Sequence, residues 1–208
     1  MDAAWAAGWR HFGPFFFRTR WMQQGAEARE IMPLRYPLEG WAPRKSQRRI
    51  LRRNRDLSCE ISPTRLTDEQ RDLFLRHRSR FREDVPDALE DFLGPQPDGH
   101  PCRNVTISLR QGPRLVAASY LDLGLESVSS IYAVFDPDES KRSLGTATLL
   151  IELFWAAQQG FRWHYPGYAT HGASLYDYKK TIARYEWLDW EGGWLTGQPP
   201  GQDPCQRP

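Results

Sequence analysis

Cysteine is scarce in this sequence, and its three cysteines stand far apart, at positions 59, 102 and 205. No two of them have the short spacing of a zinc-binding motif, and a sparse, odd set does not build a disulfide scaffold. The sequence therefore predicts a protein of a reducing compartment, with no metal centre.

Long apolar runs are also missing. No segment reaches the roughly 18–20 apolar residues that a helix needs to cross a bilayer. Tryptophan, arginine and histidine interrupt residues 1–13, so this segment lacks the apolar centre of a secretory signal. We therefore expect a cytoplasmic protein that does not act at a membrane.

Acidic residues are absent from Arg44 to Arg55, a segment that contains seven lysines and arginines. Residues 1–56 contain 12 Lys/Arg and 5 Asp/Glu, so the remainder of the chain is net acidic. Such an asymmetry favours a polyanionic partner at one end of the molecule. Taken alone, the basic run could equally be a solvated helix face.

Apolar patterning and turn residues predict the first elements. We expect a short buried strand at Phe15–Phe17, a loop or single helical turn at Met22–Glu30, and a strand at Leu34–Tyr36. A basic helix should follow over 44–54, with Ile50 and Leu51 as its apolar pair.

Thr67-Asp-Glu-Gln70 has the form of a capping box, and it predicts a helix over 68–82. The later patterns predict a helix at 86–93, strands at 104–110, 114–123 and 127–135, a helix at 146–159, a strand at 162–165 and a helical segment at 172–182. We divide the chain into a small basic and aromatic N-terminal subdomain (1–60), an α/β domain (61–196) and a disordered tail (197–208).

The most informative stretch joins the third of these strands to the following helix. Its core is Arg142-x-x-Gly145-x-Ala147, where small residues would let a backbone approach a ligand and the first helix amides could bind an oxygen. This loop resembles the acyl-donor loop of the GNAT acyltransferase superfamily, which implies a mixed, mostly antiparallel sheet flanked by helices. The alternative is a plain turn, with Gly145 serving the backbone and Arg142 solvated.

Further blocks occur in one order over residues 8–194: Gly8-Trp-Arg10, Pro33-Leu-Arg35, Arg44-Lys-Ser-Gln-Arg-Arg49, Ser129-Ser-Ile-Tyr132, Tyr165-Pro-Gly-Tyr168, Asp177-Tyr-Lys179 and Gly192-Gly-Trp194. Together they resemble the arginyl/leucyl-tRNA–protein transferase family. The resemblance implies that residues 61–196 form a transferase domain. It further implies that arginine or leucine passes from aminoacyl-tRNA to the N-terminal amine of an acceptor protein or peptide, without a further cofactor.

One departure from the family stands out. Its members usually carry a cysteine cluster, tied to a metal or iron–sulfur centre, between the opening Gly-Arg block and the Pro-x-Arg block. Here residues 18–32 contain no cysteine. No thiolate cluster can form there, so we expect no regulation through such a centre.

The resemblance also implies site residues. The tRNA-binding set is Arg44, Lys45, Gln47, Arg48, Arg49, Arg52 and Arg53; the donor-binding loop is Arg142, Ser143, Gly145 and Thr146; the acceptor-binding pair is Tyr178 and Lys179; and the catalytic candidates are Asp136, Asp138 and Tyr168. The two aspartates could hold the incoming ammonium and take its proton. Asp136 could instead cap a turn, and we interpret His164 and His171 as structural.

Two other functions fit parts of the pattern. A CoA-dependent GNAT acyltransferase would use the same Arg-x-x-Gly-x-Ala loop but would not need the basic segment. A non-catalytic relative that binds tRNA or degradation signals would keep that segment and show no turnover.

Overall fold

The computed structural model describes residues 1–24, 27–81, 86–172, 174 and 176–197. Its helices are α1 (Asp2–Ala6), α2 (Lys45–Arg53), α3 (Asp68–Arg78), α4 (Glu90–Leu93), α5 (Leu144–Gln158) and α6 (Tyr178–Ile182), with a 3-10 helix at Pro137–Arg142. Its strands are β1 (Arg10–Phe12), β2 (Phe15–Phe17), β3 (Trp21–Gln24), β4 (Glu27–Pro37), β5 (Ser58–Pro63), β6 (Arg103–Gln111), β7 (Arg114–Leu123), β8 (Ser127–Phe135), β9 (Trp163–Thr170), β10 (Glu186–Leu188) and β11 (Trp194–Thr196). The tail predicted to be disordered lies outside the described residues, except for Gly197.

Nine strands form one sheet in the order β11-β10-β4-β9-β8-β7-β6-β5, with β3 paired to β4. Strands β8 and β9 run parallel, and the other described pairs of this sheet are antiparallel. Helices cover both faces. This arrangement confirms the predicted GNAT-like layer of mixed, mostly antiparallel strands. No helix of the described part is both long and apolar enough to cross a membrane.

The sheet divides between its two parallel strands. β8 and β9 pair only from Ser127 opposite Trp163 to Ser129 opposite Tyr165. Beyond that point β8 stays on β7 as far as Phe135, whereas β9 pairs with β4. The two strands therefore part and leave a fork whose edges are 130–135 and 166–170.

Two apolar clusters hold helices on opposite faces of the sheet. On one face α5 packs on β7 and β8 through Leu149, Leu150 and Leu153, and α2 covers α5 with Ile50 and Leu51. On the other face α3 and α4 pack on β7 and β8 through residues such as Phe74 and Leu93. Because both faces are covered, nearly every residue of β7 is buried.

Local signals explain where several elements begin. The Thr67 hydroxyl accepts a hydrogen bond from the Gln70 amide (3.3 Å), and the Gln70 side chain accepts one from the Thr67 amide (3.3 Å). This is the predicted capping box. The strands expected over 104–135 and the helix expected at 146–159 correspond closely to β6, β7, β8 and α5.

Two predictions for the N-terminal part are wrong. The segment Met22–Glu30 was expected to be a loop or helical turn, yet β3 and β4 pair across it, from Trp21 opposite Glu30 to Gln24 opposite Glu27. The Phe15–Phe17 strand exists, but it is not buried: Phe15 is 79% exposed. It forms a hairpin with β1 instead of entering the main sheet.

The sheet takes strands from both ends of the chain. β4 lies between β9 and β10. The predicted subdomain boundary at residue 60 falls inside β5. The helical segment expected at 172–182 is a helix only from Tyr178, and residues 173 and 175 lie outside the described part.

Replacing Leu153 by alanine tests the packing of α5. Leu153 is fully buried against the sheet. Removing its apolar atoms and leaving a cavity should lower the free energy of unfolding by about 2–5 kcal/mol. Chemical denaturation measures the effect, with Leu125→Ala, at a residue 94% exposed, as the control that should leave stability almost unchanged. Equal effects of the two changes would contradict the packing described.

Candidate active site

The predicted donor loop joins the 3-10 helix to α5. Ser143 adopts a left-handed conformation (φ 55°, ψ 47°), and its carbonyl accepts hydrogen bonds from the amides of Thr146 (3.1 Å) and Ala147 (2.9 Å). The amides of Leu144 and Gly145 have no acceptor among the described residues. They lie at the N-terminal end of a 15-residue helix, where partial positive charge collects.

The Phe135 side chain leaves no room for a side chain at Gly145. A Cβ atom at this position would lie 2.9 Å from Cε1 of Phe135, a distance that real Cβ contacts do not show. The sequence predicted that a glycine here admits a ligand. In the structure the absence of a side chain at Gly145 makes room for the Phe135 ring at the end of β8.

Arg142 turns inward. Its guanidinium forms a two-bond ion pair with Asp56, at 2.9 and 2.8 Å, and its Nε donates to Glu139 at 2.9 Å. The side chain is 17% exposed, so the alternative of a solvated Arg142 does not apply. Since Asp56 follows α2, Arg142 connects the donor loop to the basic helix.

The basic helix α2 is anchored at both ends. Near its C-terminus, Asn54 donates to the Arg142 carbonyl (3.0 Å) and Arg53 donates to the Lys141 carbonyl (2.5 Å). Near its N-terminus, Arg44 donates to the Ile182 carbonyl at the end of α6 (3.2 Å). A nine-residue helix is about 13 Å long, so α2 spans the distance between the donor loop and α6.

Most of the predicted tRNA-binding side chains lie on the exposed side of α2. Arg44, Lys45, Arg48, Arg49, Arg52 and Arg53 are all exposed. Gln47 is not: it is 5% exposed, accepts a hydrogen bond from the Arg44 amide (2.8 Å) and donates to the Ile182 carbonyl (2.5 Å). It is part of the anchor inside the protein, away from the phosphate-binding surface predicted for it.

The two aspartates differ in their surroundings. The Asp136 carboxylate is fully buried and accepts hydrogen bonds from Arg76 (2.6 Å), Arg114 (3.2 Å) and the Asp138 amide (3.1 Å). These contacts are those of a capping residue, the alternative left open by the sequence. Asp138 is exposed on the first turn of the 3-10 helix, and no described residue donates a hydrogen bond to its carboxylate. The structure therefore does not bring the two carboxylates to one solvent-accessible point.

A buried polar cluster at the base of the fork is absent from the sequence predictions. The Glu152 carboxylate accepts from the Ser130 hydroxyl (2.5 Å) and contacts His164 Nε2 (3.0 Å). Tyr36 stacks on the His164 ring, with centroids 5.8 Å apart. Glu152, Ser130 and His164 come from α5, β8 and β9, so these three side chains meet only when the sheet has folded. His164 is internal, as the sequence indicated.

A small, partly open pocket with a cavity volume of about 20 Å³ lies beside β9. Its lining residues are Gly8, Arg10, Phe17, Thr19, Ile31, Pro33, Tyr168 and Trp190. Tyr168, predicted as a catalytic residue, is thus one of the residues that line this pocket. Burial raises the pKa of its hydroxyl to about 12, so this group remains a hydrogen-bond donor at neutral pH.

Arg10 is the functional candidate that the site prediction missed. It is 8% exposed, and its Nη1 donates to the carbonyls of Trp5 (3.2 Å) and Trp9 (2.6 Å). Its Nε and Nη2 have no partner among the described residues. Burial lowers the pKa of Arg10 to about 10. The sequence does contain a sign of its importance, because Arg10 is part of the Gly8-Trp-Arg10 block that resembles the family. No role was predicted for it there.

Lys179 lies close to the same pocket. Its ammonium is 3.4 Å from the Tyr168 carbonyl, 5.7 Å from the centre of the Tyr168 ring and 5.2 Å from that of Tyr176. Burial first, and then the charge of Arg10, lower its pKa to about 8. Tyr178, its predicted companion, is the first residue of α6 and is 47% exposed.

Replacing Asp136 by asparagine tests its structural role. The amide keeps a cap for the 3-10 helix but loses the charge that pairs with Arg76 and Arg114. We expect the free energy of unfolding to fall by about 1–3 kcal/mol, measured by chemical denaturation. The control is Asp138→Asn. Because the Asp138 side chain is exposed, this change should alter the free energy of unfolding by no more than about 0.5 kcal/mol. Unchanged stability in Asp136→Asn with a loss of turnover would contradict the capping role.

A family model and two curated relatives show what this chain is similar to in sequence. Residues 69–189 match the family described as "Arginine-tRNA-protein transferase, C terminus". The aspartate/glutamate leucyltransferase of Saccharophagus degradans is 31% identical over 174 residues, which are 79% of this chain and 71% of that protein. The aspartate/glutamate leucyltransferase of Shewanella putrefaciens is 31% identical over 193 residues, 90% of this chain and 78% of that protein.

Solved structures share the fold at low identity. L-PGS from Bacillus licheniformis superimposes with a TM-score of 0.53 at 15% identity, over 69% of this chain and less than half, 47%, of that one. FemX superimposes with a TM-score of 0.50 at 7% identity, over 84% of this chain and 60% of that one. The family match covers more than half of the chain, and the curated relatives extend it to most of the remainder. The chain therefore belongs to the arginyl/leucyl-tRNA–protein transferase family of aminoacyltransferases.

Proposed function

We propose that this protein transfers leucine from Leu-tRNA to the N-terminal amine of proteins that begin with aspartate or glutamate. The relatives named above are aspartate/glutamate leucyltransferases, which favours leucine over arginine as the amino acid transferred. The same proposal assigns the protein to the cytoplasm, where charged tRNA is available.

The observation that carries the proposal is the position of α2. Its exposed arginines face solvent between two anchors, the donor loop at one end and α6 at the other. Phosphates bound along this surface would bring a tRNA 3′ end alongside both the loop and the helix that carries Lys179. Such contacts supply affinity without sequence readout.

The donor ester would enter the fork between β8 and β9. The unpaired amides of Leu144 and Gly145 are available to the carbonyl oxygen of the ester as negative charge develops on it. A well-aimed donor of this kind contributes about 3–4 kcal/mol to the stability of the transition state. Arg142, held by Asp56 and Glu139, would position the loop and make no contact with the ester.

The acceptor would bind at the pocket beside Tyr168. A buried guanidinium with two unpartnered donors is costly unless an anion pairs with it. The carboxylate of an N-terminal aspartate or glutamate supplies that anion, and Lys179 adds a second cation near the same pocket. Arg10 and Lys179 would thus select an acidic first residue.

The reaction is a direct aminolysis. The neutral α-amine attacks the ester carbonyl, a C–N bond forms, and the C–O bond to the terminal ribose breaks. The amine loses a proton and the ribose oxygen gains one. Asp138 is the exposed carboxylate available to take the amine proton, and the Tyr168 hydroxyl can donate a hydrogen bond. No additional cofactor is required by this scheme.

The decisive experiment is a transfer assay with radiolabelled Leu-tRNA or Arg-tRNA and peptides that begin with Asp, Glu, Asn, Lys or Arg. We expect label from Leu-tRNA on the Asp and Glu peptides. Acetyl-CoA replaces the tRNA in a parallel reaction. Acetylated product would instead identify a CoA-dependent acyltransferase, and tight tRNA binding without any transfer would identify a non-catalytic relative.

The α2 surface is tested by Arg49→Gln combined with Arg52→Gln. Losing two phosphate contacts should weaken tRNA binding and reduce the slope of log affinity against log salt by about 2, because fewer counterions are released. The exposed Arg65, outside α2, provides the matched change Arg65→Gln. If that control lowers affinity and slope equally, α2 is not the specific tRNA surface.

The pH dependence of kcat/KM tests Lys179. Its lowered pKa, about 8, means that its charge is lost as pH rises through that value. For an Asp-initiated peptide, kcat/KM should therefore rise as the acceptor amine deprotonates and fall above about pH 8. Lys179→Arg keeps a positive charge at high pH and should remove the falling limb. An unchanged profile in this variant would contradict recognition by Lys179.

A further inference from the structure

Three potential metal ligands from distant parts of the sequence meet behind the N-terminal hairpin. They are His11 of β1, Cys102 in the segment before β6, and Asp122 of β7. The ligand atoms of all three lie within 4.8 Å of one another. His11 and Asp122 are buried, with side chains 3% exposed, and Cys102 is partly buried. None of them belongs to the transfer site.

Both ring nitrogens of His11 face hydrogen-bond acceptors. Its Nδ1 lies 2.9 Å from the Gly13 carbonyl, and its Nε2 lies 2.5 Å from Asp122 Oδ2. With Nδ1–H donating to Gly13, Nε2 faces the carboxylate in one of two forms: as a second N–H of an imidazolium, or as the lone pair of a neutral imidazole, which is the form that binds a metal ion. A metal-bound histidine has this pattern, with its other nitrogen donating to a backbone carbonyl.

The orientation of the Asp122 carboxylate is also fixed by a neighbouring side chain. The Asn104 side chain donates to its Oδ1 at 2.7 Å, which fixes the carboxylate and leaves Oδ2 towards His11. The Cys102 sulfur lies within 4.8 Å of the same carboxylate. One thiolate and one carboxylate would neutralise a divalent cation, so the loaded cluster would bury no net charge.

We propose that His11, Cys102 and Asp122 bind one divalent transition-metal ion, with Zn²⁺ as the test ion. This donor set of one nitrogen, one sulfur and one carboxylate oxygen is suited to zinc, and a water molecule would complete the tetrahedron. Ligand atoms around a tetrahedral zinc are about 3.3–3.8 Å apart. Binding therefore separates His11 from Asp122 and draws Cys102 inward.

The proposed site has a structural role. It joins β1 to β7 and so fastens the β1–β2 hairpin to the sheet. Because successive strand residues point to opposite faces, fixing His11 also fixes the neighbouring Arg10 at the acceptor pocket. Occupancy should stabilise the folded protein, since the unfolded chain does not assemble the three ligands.

The experiment measures metal content, spectrum and stability of the full chain. After chelator treatment and dialysis, Zn²⁺ titration should give one bound equivalent and a higher Tm. Co²⁺ should give an intense ultraviolet charge-transfer band from a thiolate ligand. In Cys102→Ser the band should disappear and Zn²⁺ affinity fall at least tenfold, and His11→Gln should also weaken Zn²⁺ binding at least tenfold.

The matched control removes the other two thiols. Cys59 is exposed on β5, and the double change Cys59→Ser, Cys205→Ser should keep stoichiometry, band and Tm shift. Circular dichroism of each variant establishes that it is folded before metal is added. Absence of a bound equivalent in the native chain, or a band that survives Cys102→Ser, would overturn the proposal and leave His11 and Asp122 as a buried ion pair.

Discussion

The ion pair between Arg142 and Asp56 is the contact on which the arrangement of the site depends. Two parallel hydrogen bonds fix the planes of both groups, and Glu139 holds the remaining Nε of the same guanidinium. Further hydrogen bonds from Arg53 and Asn54 also attach α2 to the loop. Bidentate arginine–carboxylate pairs provide geometric specificity as well as attraction. The Arg142 side chain thus helps to fix the position of the basic helix relative to the predicted donor loop.

A second constraint is the early end of the β8–β9 pairing. A sheet that loses its ladder leaves backbone groups without partners, so the gap needs another form of support. At its base, Glu152 and Ser130 connect α5 to β8, while His164 continues the contact into β9. On the far side, β4 supplies the ladder that β9 lacks. The opening is therefore built into the sheet and lies between two supported edges.

Much of the local structure could be predicted from the sequence, because local signals determine it. The capping box at Thr67, the strands of residues 104–135 with their hairpin turn, and the apolar α5 are each encoded within a short window. Partnerships across the chain could not be read in this way. The contacts of Arg142 with Asp56 and of Gln47 with Ile182, and the burial of Asp136, depend on which elements the fold brings together. Arg10 carries no local sign of its burial. The β3 strand was missed because its polar residues match no strand pattern, and pairing with β4 overrides that weak propensity.

The position of β4 has a consequence for how the protein forms during synthesis. This strand is synthesised long before its neighbours β9 and β10, which lie much later in the sequence. A ribosome would release most of the sequence before β4 could find either of them. During that time its apolar residues, among them Met32 and Leu34, have no permanent cover. Contacts of such long sequence separation slow folding and expose nascent chains to aggregation. The pocket beside Tyr168, which draws on β1, β4 and β9, can exist only once the last third of the chain has emerged.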